Sequence, residues 1–335
     1  MFNFYKMLFF STMIIGTLIA ISSYSWLSMW MGLEINLLSI IPLMNNSKNV
    51  FPAEAALKYF ITQALASSVL LFSIVVSLNF FDFFSSYKTF NLIFNSALLM
   101  KVGAAPFHAW FPEVMEGLNW MNSLILLTWQ KIAPMVLIFY NCNLSLFFLM
   151  VIVFSTTFSG ILGLNQISLR KILAYSSINH ISWMLASMLN SQMIWIIYFM
   201  IYSIITLSII LFLYQTQIFY LPQFFGLANH NKILKFFISL NFLSLGGLPP
   251  FLGFFPKWLV INNLIQNNLY MLSTLLIIFT LITLYFYIRI MFSSLTINSN
   301  EFLITPSSMT HYIIYSLNFI SLSGLLICTL IWNYA

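Results

Sequence analysis

Along most of its length this chain returns to apolar runs of about twenty residues, the length a helix needs to cross the hydrocarbon core of a bilayer. Such runs leave few structural options. Away from water each backbone N–H and C=O must be satisfied within its own segment, so the chain must fold as a bundle of helices. The runs cover roughly residues 4–22, 25–45, 55–79, 90–112, 121–140, 145–165, 168–189, 192–220, 232–264, 267–293 and 311–333, about eleven spans in all. Of the 335 residues, 61% are hydrophobic and only 5% charged, where soluble domains carry about 25% charged residues. The expected fold class is therefore all-α and polytopic. The formal charge of +6 then speaks of topology and not of nucleic acid.

Two of these runs are interrupted in the same way. Gly103-Ala104-Ala105-Pro106-Phe107-His108-Ala109-Trp110-Phe111-Pro112 and Gly247-Leu248-Pro249-Pro250-Phe251-Leu252-Gly253-Phe254-Phe255-Pro256 lie 144 residues apart. Each places proline, phenylalanine, an aromatic residue, phenylalanine and proline at matching offsets after a glycine, and Gly246 precedes the second copy. Lys101 stands just before the first break and Lys257 just after the second. Paired breaks in corresponding positions of two halves point to an ion or substrate path. The plainer reading makes them loops between ordinary helices. Because each break falls in the fourth of five spans, spans 1–5 and 6–10 are expected to form two copies of opposite orientation. The expected boundaries are 1–142 for the first repeat, 143–295 for the second, and 296–335 for a loop and one extra C-terminal helix.

Loop charges test this count. With the N-terminus on one side, that side holds Lys6, Lys48, Arg170, Lys171, Lys232, Lys235 and Arg289, while the other holds only Lys88, beside Asp82. The positive-inside rule then puts the N-terminus inside and the C-terminus outside. No cleavable presequence is expected, since the first run is apolar with a single Lys6 ahead of it. Cys142 and Cys328 have no Cys or His at metal-ligand spacing, so neither a disulfide framework nor a zinc site is expected.

Ionisable groups at membrane depth are costly and so tend to be functional. Glu34, Lys131 and His180 fall mid-span; Lys101 and Lys257 flank the breaks, and His108 lies inside one. Each also has a structural reading: a helix-pairing glutamate, a lysine snorkelling to the interface, or a hydrogen-bonded core histidine. Snorkelling fits best for Lys58, which opens its span. Histidine can relay protons near neutral pH, and Ser176, Ser177, Asn179 and Ser182 give His180 a polar face. No dinucleotide-binding, phosphate-binding or metalloprotease motif is present, nor any Cys-x-x-Cys. On these residues alone the chain reads as a cation or proton path with no redox group of its own.

The stretches Lys101–Trp110, Thr128-Trp129-Gln130-Lys131-Ile132-Ala133-Pro134, Gly246–Phe254 and Glu54-Ala55-Ala56-Leu57-Lys58-Tyr59-Phe60 closely resemble the antiporter-like membrane subunits of mitochondrial respiratory complex I, NADH:ubiquinone oxidoreductase. The resemblance covers nearly the whole chain. It implies a proton-pumping subunit of the membrane arm in the mitochondrial inner membrane, with the N-terminus in the matrix and the C-terminus in the intermembrane space. It implies that Glu34 pairs with Lys101, that Lys131 is the central lysine, and that Lys257 carries the proton outward. NADH, FMN, iron–sulfur clusters and ubiquinone are then expected on other subunits and none on this chain. The implied partners are the other membrane-arm subunits, in a hetero-oligomer, and lipids, with cardiolipin one candidate. A stand-alone cation/proton antiporter and a purely structural membrane-arm subunit remain the alternatives.

Overall fold

The computed structural model describes residues 4–45, 50–79, 87–142, 145–227, 232–249, 251–296, 316, 318–319 and 321–324. The eleventh expected span, Pro250, Lys48 and Asp82 lie wholly or largely outside them. Two compact units divide the chain, Met1–Val151 and Ile152–Ala335.

The first unit begins with a helical hairpin, α1 (Phe4–Ser22) and α2 (Trp26–Met44). Ser25 caps α2, its hydroxyl accepting from the Ser28 N–H at 3.3 Å. The hairpin closes backbone to backbone. A Cβ on Gly32 would stand 2.6 Å from the Ala20 nitrogen, and one on Gly16 2.9 Å from the Asn36 nitrogen. Small residues give membrane helices this close approach, where dispersion replaces the hydrophobic effect between helices.

α3 (Val50–Asn79) packs on α2, on α4 (Tyr87–Val102) and on α5 (Trp110–Gly117). The α3–α5 contact is tight, since a Cβ on Gly117 would meet the Phe51 carbonyl at 2.8 Å. It also carries ions. Lys58 reaches Glu54 at 3.0 Å and Glu113 of α5 at 3.1 Å, with all three side chains partly exposed. Such an exposed pairing, screened by water, adds little to stability.

The fifth span, expected over about residues 121–140, is divided at Thr128 into α6 (Trp120–Leu127) and α7 (Trp129–Tyr140). Thr128 takes φ −113°, ψ −70°, its hydroxyl bonds the Leu124 carbonyl at 2.7 Å, and Lys131 N–H reaches back only three residues, to Thr128 at 3.3 Å. Further on, Pro134 has no N–H to give the Gln130 carbonyl. α7 packs on α1 and α4. α8 (Ser145–Gly163) leads into the second unit.

The second unit is built around α9 (Leu169–Met188), which is buried at each residue from Ile172 to Met188. α10 (Gln192–Thr216) lies against it, and the short α11 (Leu221–Leu227) follows. The ninth expected span is two helices, α12 (Lys232–Gly246) and α13 (Phe254–Gln266), and α14 (Tyr270–Thr296) packs on both.

Seven segments among the described residues, α6 and α7 taken together as one, are long and apolar enough to cross a membrane, and two shorter apolar stretches, Thr89–Val102 and Phe236–Gly246, end at the breaks. α1 and α3 turn large apolar side chains outward, among them Phe4, Leu18, Leu65 and Phe72. That surface suits lipid or neighbouring subunits rather than water.

Beyond the end of α7, burial pushes the Cys142 thiol up to about 11. With its pKa raised, the thiolate is scarcer than in a free cysteine at the same pH. Alkylation of Cys142 at pH 8, followed on its own peptide by mass spectrometry, should run about a hundredfold slower than in the denatured chain. Equal rates would show that the thiol is open to solvent.

Candidate functional site

Both breaks are built by the same backbone. Gly103 adopts φ +81° and Gly247 φ +76°, the left-handed conformation that glycine takes without a Cβ penalty. At the first, Gly103 and Ala104 both donate to the Leu99 carbonyl, at 2.9 and 3.1 Å. At the second, Gly247 and Leu248 both donate to Leu243, at 3.1 and 3.5 Å. The longer bond of each pair is the 6→1 bond of a Schellman ending. Two further turn bonds recur in both copies: Phe107 to Ala104 and Phe251 to Leu248, then Phe111 to His108 and Phe255 to Leu252. Corresponding residues of the two copies are offset by the same 144 positions throughout.

A helix that stops inside a membrane leaves carbonyls to be satisfied. At the first break the Trp110 indole donates to Met100 at 3.1 Å, and the Gln63 amide, from α3, to Lys101 at 3.3 Å. At the second, Lys257 supplies the donor. Its ammonium Nζ lies 2.7 Å from the Gly246 carbonyl and 3.4 Å from Leu245. Leu245 corresponds to Lys101 in the repeat, so a neutral amide and an ammonium cap the same position in the two copies. A cation at a helix C-terminus is also favoured by the helix dipole.

In the first unit the sequence-predicted residues converge. Lys101 and Lys131 are 8% and 1% exposed, on α4 and α7. Lys131 Nζ sits 5.8 Å from the Phe111 ring centre, a cation–π distance. Glu34 is half-buried on α2 and close enough to act electrostatically on Lys101 and Tyr59, but it makes no ion pair within 4.0 Å with Lys101. One of its oxygens, Oε1, is buried without a hydrogen bond.

Two small cavities lie among these groups, each with about 10 Å³ open to the centre of a water molecule, near the minimum for holding one. The first is bounded by Asn36, Tyr59, Gln63, Lys101, Gln130 and Pro134. The second is bounded by Tyr59, Lys101, Phe111, Gln130 and Lys131. His108 borders neither; its side chain hydrogen-bonds the backbone at Pro106, within the break itself.

The second unit holds His180 and Lys257. His180, 5% exposed, places Nδ1 2.9 Å from the Tyr198 hydroxyl and its ring 4.9 Å from that of Tyr202. Tyr287 is buried beside them, and Asn179 donates to Thr283 at 3.2 Å. Lys257 Nζ lies 5.7 Å from the ring of Trp183, which follows His180 by three residues on α9.

Sequence reasoning missed Asn36, Tyr59, Gln63 and Gln130 in the first unit and Tyr198, Tyr202 and Tyr287 in the second. The available signal was weak, amounting to polar side chains within apolar runs. Among the described residues no group of three or more His, Cys, Asp or Glu side chains is placed to hold a metal ion. Chemically, the arrangement offers buried groups able to take and release protons, with water-sized spaces between two of them.

A sequence model of the family described as "NADH:quinone oxidoreductase/Mrp antiporter, TM" matches residues 23–283. The chain is 53% identical to NADH-ubiquinone oxidoreductase chain 2 of Aedes aegypti and 51% identical to that of Anopheles gambiae. Each match runs over 332 residues, 97% of this chain and 97% of the relative. Among solved structures it is similar to a chain of respiratory complex I from Thermus thermophilus, with a TM-score of 0.87. That likeness covers 98% of this chain and 79% of the other at 22% identity, and concerns the fold alone.

Proposed function

The chain belongs to the NADH:quinone oxidoreductase/Mrp antiporter membrane family, and from that premise we propose a proton path made of its own side chains. It is an antiporter-like, proton-translocating membrane-arm subunit of respiratory complex I, the enzyme that couples NADH oxidation by ubiquinone to proton pumping. In the proposed path, redox steps on other subunits change the charge of the Glu34 and Lys101 neighbourhood. This changes how firmly Lys131 holds its proton, and Lys257, with His180 in the same unit, passes a proton outward. The observation that carries this reading is that Lys101 and Lys131, both buried, border one cavity of about the minimum size for a water.

An architecture of eleven spans with two inverted repeats is supported by the matching backbone of the breaks. It is supported too by helices that a strongly apolar span of full length does not describe: two are cut short by a break, and α9 is more polar. The charge bias of the loops favours an N-terminus in the matrix and a C-terminus in the intermembrane space. NADH, FMN, iron–sulfur clusters and ubiquinone belong to other subunits in this reading. The outward apolar faces of α1 and α3 suit neighbouring membrane-arm subunits and lipids such as cardiolipin.

The test uses the whole complex in sealed vesicles. Lys101→Met should lower the protons moved per NADH oxidised while the complex still comigrates with this chain on native gels. An unchanged ratio would remove Lys101 from the path. Loss of assembly in both Lys101→Met and Lys101→Gln would favour a structural role for the lysine.

A further inference from the structure

Gln130 occupies the junction of the two cavities in the first unit. Its side chain is fixed at both ends: Nε2 donates to Asn36 Oδ1 at 2.7 Å, and Oε1 accepts from the Tyr59 hydroxyl at 3.4 Å. It borders both spaces, as do Tyr59 and Lys101. The first cavity faces α2 through Asn36, two residues from Glu34; the second reaches Lys131. Gln130 therefore lies between the glutamate's helix and the central lysine. Pro134, which borders the first cavity, leaves the Gln130 main-chain carbonyl without its helical donor. An amide has two N–H donors and two acceptor lone pairs on its oxygen. With one donor and one lone pair engaged, one of each remains.

We propose that Gln130 is a positioning residue that orients one water in each cavity, so that protons move between the Glu34 side, Lys101 and Lys131 through water and the Tyr59 hydroxyl. This rests on the proton-path reading above. The amide itself carries no proton. In the transfer, Lys101 Nζ gives an N–H proton to the second-cavity water, and that water gives one of its own to Lys131 Nζ. One N–H bond breaks and one forms, and the water ends as it began. Tyr59 can stand in the same chain because its hydroxyl both donates and accepts. The break at Thr128 serves this arrangement by setting Gln130 and Lys131 at the irregular start of α7, where the Lys131 N–H bonds the carbonyl only three residues back.

The experiment compares Gln130→Met, Tyr59→Phe and Lys131→Met in the assembled complex in sealed vesicles. It measures proton-coupled turnover in H2O and in D2O. Misplacing a transferring water should slow coupled turnover about ten- to a hundredfold in Gln130→Met. The solvent isotope effect should rise as proton transfer becomes limiting, a change that a merely structural residue would not produce. Tyr59→Phe should show the same increase to a lesser degree, and it decides the matter if Gln130→Met does not assemble. Normal turnover and isotope effect in these two variants, with Lys131→Met impaired, would overturn the role of Gln130 and leave the path standing. Normal turnover in Lys131→Met would instead overturn the path. In an experimental map of the complex that resolves other buried waters, both cavities should hold a water within hydrogen-bonding distance of Gln130. Dry cavities would also overturn the proposal.

Discussion

Lys131→Met should abolish the proton transfer this chain contributes while leaving the complex assembled. Lys131 is 1% exposed, enclosed by α4 and the Phe111 ring, and methionine is apolar and nearly as long. Burying a charge costs more than burying an apolar chain of similar length, so the fold should tolerate the change. The lost function is a positioned acid and base, which typically contributes 10²–10⁴-fold to a proton-transfer step. Turnover coupled to pumping should therefore fall at least about tenfold. NADH oxidation by a soluble artificial acceptor, which requires no transfer at Lys131, should be retained. If coupled pumping continues at its normal ratio in Lys131→Met, the central lysine has no part in it.

Gly247→Ala should be damaging at the second break, whereas Gly246→Ala should be tolerated. Gly247 has φ +76°, where an L-residue costs about 1–2 kcal/mol. A Cβ there would also stand 2.6 Å from Lys257 Cδ, and overpacking of this kind costs about a further 1–3 kcal/mol. Relief requires moving Lys257, and with it the ammonium that satisfies the Gly246 carbonyl. At Gly246 an added Cβ would meet the Tyr287 ring at 3.5 Å, an ordinary contact. The yield of assembled complex and its rate of thermal inactivation should separate the two variants. Equal behaviour would mean that the break yields easily and that Lys257 is not held by it.

Those two glycines show how much of the site could be read from the sequence. The pattern of glycine, proline and phenylalanine located both breaks, because a left-handed helix ending followed by proline has few other solutions. The buried lysines were equally readable, since a charge within a twenty-residue apolar run must be enclosed by something. The donors to the freed carbonyls were not. Gln63 comes from a neighbouring helix and Lys257 from beyond its own break, and nothing in the spacing says that both serve the same position. The interruption at Thr128 was invisible for another reason: threonine is common within helices, and its hydroxyl bond to Leu124 leaves no trace in sequence. Lys58 read as a snorkelling side chain because its partner on α5, Glu113, is near only after α3 and α5 have packed.

The all-round burial of α9 bears on how the protein is made. The helix has the length to span a bilayer but is not among those apolar enough to do so. It opens with Arg170 and Lys171 and carries Ser176, Ser177, Asn179, His180, Ser182 and Ser187. Released alone into lipid during synthesis, it would expose those polar groups to hydrocarbon, and each would count against insertion. Its partners Tyr198 and Thr283 are translated after it, on α10 and α14. Stable residence of α9 in the membrane must therefore wait for helices not yet made. Until then the nascent segment needs shelter from the insertion machinery or a neighbouring protein, and a stall between α9 and α14 is the point at which this chain is most exposed to proteolytic clearance.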